Sequence, residues 1–122
     1  MKLHATAPGA RNAFSGYGEG YVLVNGARHE ENLIVLPDRL LPWRAAGFES
    51  LSAEDFGELA SLGLEVVLLG TGAKLRFPSS QVTRPLIDAK VGLEVMDAQA
   101  ACRTYNILVS EERRVAAALL LR

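Results

Sequence analysis

Gly92 to Leu121, GLEVMDAQAACRTYNILVSEERRVAAALLL, holds a complete strand-helix-strand unit. Leu93 to Met96 reads as a short strand, and Asp97 stands where a carboxylate caps the helix that follows. From Ala98 to about Ser110, Ala101, Tyr105 and Leu108 recur on one apolar face. Gln99, Arg103, Asn106 and Ser110, spaced by four, three and four, line a polar stripe. Arg113-Arg114 then leads into an apolar strand from Val115 to Leu121.

Upstream, Gly63-Leu64-Glu65-Val66 is nearly repeated by Gly92-Leu93-Glu94-Val95. Each copy follows a helix-like segment and opens a strand-like one, so the repeat predicts two parallel neighbouring strands. Ser52 and Asp55 have the spacing of reciprocal caps at a helix start. Phe56, Leu59, Ala60 and Leu62 follow on one face, and Gly63 supplies the stop. Gly70-Thr71-Gly72 ends the first parallel strand, Leu75-Arg76-Phe77 reads as a short strand, and a helix is expected within Gln81 to Lys90. Pro85 places that helix's start near Thr83 or distorts it. Nearer the N-terminus, Tyr21 to Val24 runs into Asn25-Gly26, a hairpin signal, followed by Leu33 to Leu36. Leu40 to Gly47, with Pro42 and Trp43, reads as an irregular packing segment. Strands alternating with helices predict one α/β domain over 1–122. Its expected parts are a central mixed, partly parallel sheet, about three helices and an N-terminal β-hairpin.

Bulk properties narrow the functional classes. The chain has 122 residues, 49% of them apolar, and thirteen basic against fourteen acidic residues leave a net charge of −1. That balance argues against a nucleic-acid partner, although Arg outnumbers Lys ten to three. Cys102 is the only cysteine, which excludes an internal disulfide and multi-cysteine metal sites. The first twenty residues carry no apolar signal-peptide core, and Pro8, Gly9, Gly16 and Gly18 disfavour the amphipathic helix of a transit peptide. The expectation is a cytoplasmic protein with no stable membrane insertion.

Candidate chemistry is sparse. Gly70-Thr71-Gly72 after a strand offers a small anion nest, without the spacing of a dinucleotide fingerprint or a P-loop, so no cofactor is indicated. If the two repeated strands are parallel, this loop and Asp97 share the sheet edge where open α/β sheets bind ligands. The Asp97 carboxylate disfavours an anion there. Gln99, Arg103 and Asn106 on the polar stripe form either a solvated face or a contact surface, and the planar fork of Arg103 suits a carboxylate or backbone carbonyls. Cys102, among alanines, reads as a buried small hydrophobe. His4 and His29 lack an activating partner, His29-Glu30-Glu31 is no zinc-protease motif, and Glu111 to Arg114 reads as a charged turn. No catalytic set and no metal site emerge.

Certain blocks resemble a known family. Val67-Leu68-Leu69-Gly70-Thr71-Gly72, Phe77-Pro78-Ser79 and Gly92 to Asp97 contribute. The specific part is Ala100-Ala101-Cys102-Arg103-Thr104-Tyr105-Asn106-Ile107-Leu108 with Arg113-Arg114-Val115-Ala116-Ala117-Ala118-Leu119. Together they are similar to family 498 among the domains of unknown function. The resemblance implies a small α/β fold with a central mixed sheet. It also implies kinship with assembly factor 3 of mitochondrial respiratory complex I, a noncatalytic protein-binding factor, and with uncharacterised bacterial proteins. Ala98 departs from the threonine that bacterial relatives often carry there. The resemblance brings no catalytic residues. It favours a noncatalytic assembly or interaction factor with a protein partner, and the 49% apolar content is compatible with a homodimer. The alternative is a small-molecule binder or an enzyme using Gly70, Thr71, Gly72, Asp97 and Arg103.

Overall fold

A computed structural model describes residues 11–122. His4, Pro8 and Gly9, and the expectations attached to them, lie outside the described residues. Eight strands and three α-helices follow in chain order. They are β1 (Phe14–Gly18), β2 (Tyr21–Val24), β3 (Ala27–His29), β4 (Leu33–Leu36), β5 (Arg39–Pro42), α1 (Ala53–Ala60), β6 (Val66–Gly70), α2 (Ser80–Asp88), β7 (Gly92–Met96), α3 (Ala98–Ser110) and β8 (Val115–Leu119).

The main sheet has five strands in the order β5-β4-β8-β6-β7. β8 and β7 run parallel to β6 on either side of it, while β4 is antiparallel to both β8 and β5. A separate antiparallel sheet, β1-β2-β3, precedes it. The central strands are apolar at every position because both faces are covered. Val66 and Leu68 of β6 and Val115, Ala117 and Leu119 of β8 enter one core with Tyr105 of α3 and with Phe14, Val22 and Val24 of the small sheet. Val67, Leu69, Ala116 and Ala118 point the other way, to Phe56 and Leu59 of α1 and Leu86 of α2. The alanines of β8 keep the central strand thin enough for helices on both faces to approach it.

The tetrapeptide repeat does mark two parallel neighbours, with a stagger. Val66 pairs with Gly92, so Gly92 begins a strand whereas its counterpart Gly63 lies in a left-handed turn, φ 72°. The α1 start is as the spacing predicts, the Asp55 carboxylate accepting from the Ser52 N–H at 2.9 Å. Asp97 caps α3 through the Ala100 N–H at 2.9 Å, an interaction worth about 1 kcal/mol.

Four local expectations need correction. The Asn25-Gly26 turn, with φ of 50° and 86°, joins β2 to β3, while Leu33 to Leu36 belongs to the other sheet. Positive φ at both turn residues matches the twist of a tight hairpin, so the return strand begins at once at Ala27. Leu40 is in strand β5, not an irregular segment, because β4 offers it a free edge. Leu75 to Phe77 is not a strand, since no neighbouring backbone pairs with it. α2 begins at Ser80, so Pro85 stands in its interior and not in its first turn; the start near Thr83 is the alternative that fails, and Thr83 and Leu86 are the buried residues of the helix. Trp43 is a core residue, its indole N–H donating to the Asp55 carbonyl at 3.3 Å.

Candidate functional site

The sheet edge expected to bear a site is formed by the C-terminal ends of β6, β7 and β8. From β6 the chain crosses to α2 on one face, and from β7 it crosses to α3 on the other. A crevice opens where adjacent strands diverge in this way. It is a cleft of about 500 Å³ that holds Gly72, Asp97 and Gln99 along with Gly18, Glu19 and Gly20 from the β1–β2 turn and Leu120-Leu121 beyond β8.

The sequence-derived residues divide sharply inside this region. Gly70 is a packing glycine, since a Cβ there would meet Leu119 Cδ2 at 2.8 Å, Ala98 Cα at 3.0 Å and Ala101 Cβ at 3.1 Å. Thr71 is fully buried. Its N–H donates to Met96 O at 2.9 Å, and its hydroxyl donates to Lys74 O at 2.6 Å and accepts from the Arg76 N–H at 3.1 Å. The expected anion nest is therefore consumed in tying β6 to the end of β7 and shaping its own loop. Gly72, at φ 86°, does reach the cleft, and its carbonyl accepts from the Ala98 N–H at 2.8 Å.

Asp97 borders the cleft while capping α3, and Gln99 projects from the first turn as an exposed side chain. Glu19 adds a second carboxylate that sequence reasoning missed, because only the tertiary fold brings the β1–β2 turn over the sheet edge. Two acids and no basic residue line the opening, which turns away anions and suits a neutral or cationic group.

Arg103 and Asn106 sit further along α3 and do not line the cleft. Arg103 Nη1 donates to the Tyr17 hydroxyl at 3.1 Å, with the guanidinium 5.9 Å from the ring centroid. Asn106 is withdrawn from contact duty altogether. Its Oδ1 accepts from the Phe14 N–H and its Nδ2 donates to the Phe14 carbonyl, both at 2.9 Å. One side chain thus presents to β1 the donor and acceptor that a neighbouring strand would offer. Tyr105 completes the seam, donating to Asn12 O at 3.1 Å and packing edge-on against Phe14 with centroids 5.1 Å apart. Two of the four residues of the α3 polar stripe, Arg103 and Asn106, thus belong to the docking seam of the N-terminal sheet.

Cys102 is fully buried, and burial pushes its thiol up to about 12. It is protected from acting as a nucleophile at neutral pH. Among the described residues no three or more metal-ligating side chains gather, and no helix is long and apolar enough to cross a membrane.

A second surface was invisible to motif reading. The loop between β6 and α2 exposes Leu75 at 52% and Phe77 at 70%, beside a small groove walled by Phe48, Leu51, Pro78 and Val82. A signal for it exists in the sequence: from Val66 to Ile87 there are three basic residues, Lys74, Arg76 and Arg84, and no acid.

Comparison with known proteins connects this architecture to a family. The model of the protein of unknown function family DUF498/DUF598 matches residues 14–120. An uncharacterized protein of Rhodobacter capsulatus is 36% identical over 107 residues, 86% of this chain and 81% of its own. NADH dehydrogenase [ubiquinone] 1 alpha subcomplex assembly factor 3 of Xenopus tropicalis is 28% identical over 85% of this chain, a match spanning 58% of the frog protein. A Francisella tularensis relative, 25% identical over 88% of this chain and 89% of its own, bears the name 13 kDa major membrane protein. The crystal structure of a Bordetella parapertussis protein superposes with a TM-score of 0.86 at 39% identity, covering 91% of this chain and 96% of that one. The chain belongs to the DUF498/DUF598 family, whose members include the eukaryotic complex I assembly factors and the uncharacterized Rhodobacter protein.

Proposed function

We propose that this protein is a noncatalytic factor that binds another protein, in the manner of an assembly factor. The observation that carries this reading is the use made of its polar groups. Thr71, Asp97 and Asn106, three of the polar side chains the sequence singles out, hydrogen-bond to the protein's own backbone, while large apolar side chains stand in solvent. A binding surface needs the second property and an active site needs the first group free. Kinship with assembly factors agrees with it.

The test is affinity purification of the full chain, with in-cell crosslinking, from the cells that produce it. One or a few proteins enriched reproducibly over a control bait are expected, and repeated recovery of none overturns the reading. A cytoplasmic site of action is part of the proposal. Retention in a carbonate-washed membrane pellet would overturn that part.

The cleft at the sheet edge favours a second reading, a small neutral or cationic ligand held between Glu19, Asp97 and Gln99. Thermal-shift screening of uncharged and cationic metabolites tests it. A stabilisation that disappears in Glu19→Gln supports this reading over the first.

A further inference from the structure

We infer that the surface formed by the β6–α2 loop and the start of α2 docks an acidic, apolar segment of a partner protein. This rests on the protein-binding reading above and assigns it an address. Leu75 and Phe77 lie two residues apart on an irregular loop and are both more than half exposed. Leaving an aromatic ring 70% in water wastes burial energy that a partner can recover. Aromatic side chains beside a pocket are the usual anchors of protein interfaces. The adjoining groove, about 170 Å³, is lined by Phe48, Leu51, Phe77, Pro78 and Val82 with Glu49 and Ser79. That is room for about one aliphatic or aromatic side chain.

Charge selects the occupant. Lys74 and Arg76 alternate along the loop with Leu75 and Phe77, and no acid lies between Val66 and Ile87. Arg76 stacks on the Phe48 ring at 4.5 Å, which holds its guanidinium beside the groove. α2 adds the positive end of its backbone dipole: the Ser79 side chain makes no capping hydrogen bond, and the first turn carries no acidic residue. Glu49, with its side chain 90% exposed and 3.8 Å from Arg76, is an opposing charge in the groove's own lining, and Arg84, further along α2, has Asp88 at 3.6 Å. Lys74 has no ionic partner among the described residues. The balance at the loop and helix start is positive, and it is complementary to carboxylates flanking an apolar anchor.

The experiment is selection of random dodecapeptides on phage against the full chain, followed by titration of the recovered peptides against the 15N-labelled protein. Recovered sequences should join an aromatic or branched residue to at least two acids, and should shift the amide signals of Leu75, Phe77 and Val82. Phe77→Ser should weaken them at least about tenfold and Lys74→Glu about threefold, with the effect of the second fading as salt rises. Both positions are exposed, so an unchanged amide spectrum elsewhere verifies the fold of each variant. The inference is overturned by peptides without acidic bias, by peptides that bind Phe77→Ser equally well, or by no recovery at all. A self-association of the chain that Phe77→Ser abolishes would also overturn it, making a second copy the occupant. If crosslinking recovers a partner that Phe77→Ser still binds, this address fails while the protein-binding reading stands.

Discussion

On one face of the five-stranded sheet, α3 is joined to the N-terminal sheet by side chain to backbone hydrogen bonds across some ninety residues of sequence. Asn106 bonds both ways to Phe14, and Tyr105 reaches Asn12. On the other face, α1 and α2 cover the sheet largely by apolar packing, and the loop leading into α2 leaves Leu75 and Phe77 in solvent, as α2 itself leaves Ile87. The α3 face is closed by its own chain except at Ile107, whereas three of the four exposed large apolar side chains among the described residues lie on the α2 side. Part of a feature that looks functional in sequence, Arg103 and Asn106 of the α3 polar stripe, therefore does structural duty, while the exposed apolar side chains lie where no polar motif stands.

Truncation at the closed face should be the costliest change. Tyr105→Ala removes a fully buried ring from the point where both sheets and α3 meet, and should cost about 3–5 kcal/mol in urea unfolding. A loss below about 1 kcal/mol would mean that the N-terminal sheet adds little to the core. Asn106→Ala comes next, because it leaves the N–H and carbonyl of Phe14 without partners; about 2–3 kcal/mol is expected. Hydrogen exchange should then show β1 and β2 opening ahead of β6 and β8, and unchanged protection there would contradict the seam.

The alkaline limb of stability reports the same face. Burial raises the Cys102 thiol from 9.0 to about 12 and raises the Tyr105 phenol above its ordinary range as well. The folded state holds these protons more tightly than the unfolded one. Its stability is therefore level below about pH 9 and declines as pH rises toward 12, by up to about 1.4 kcal/mol per unit for the thiol. Cys102→Ala should flatten part of that decline and leave the share due to Tyr105. A slope unaltered by the substitution would remove the thiol from the account.

Phe77→Ser should have the smallest effect on folding, within about 0.5 kcal/mol, since most of the ring is already in water. A melting temperature lowered by several degrees would show that the α2 face is closed after all.

The legibility of these regions follows from the range of the interactions that form them. The α3 helix, its Asp97 cap, the Ser52 start of α1 and the Gly63 stop were readable because capping and helical periodicity act within four residues. β5 was missed because Leu40 and Leu41 become a strand only through β4. Leu75 to Phe77 was misread for the converse reason, a strand-like composition with no neighbour to pair with. The cleft was half legible. Gly72 and Asp97 follow strands whose parallel pairing the tetrapeptide repeat announced, whereas Glu19 arrives from a turn whose placement no local rule predicts.

By itself the sequence determined the α/β class, the partly parallel sheet, the capped C-terminal unit and the family, all of which rest on short-range spacing or on blocks of residues. Tertiary structure alone decided the roles of the polar groups. A carboxamide such as Asn106 bonds equally well to a ligand or to its own backbone, and only the approach of Phe14, ninety-two residues away, settles which partner saturates it.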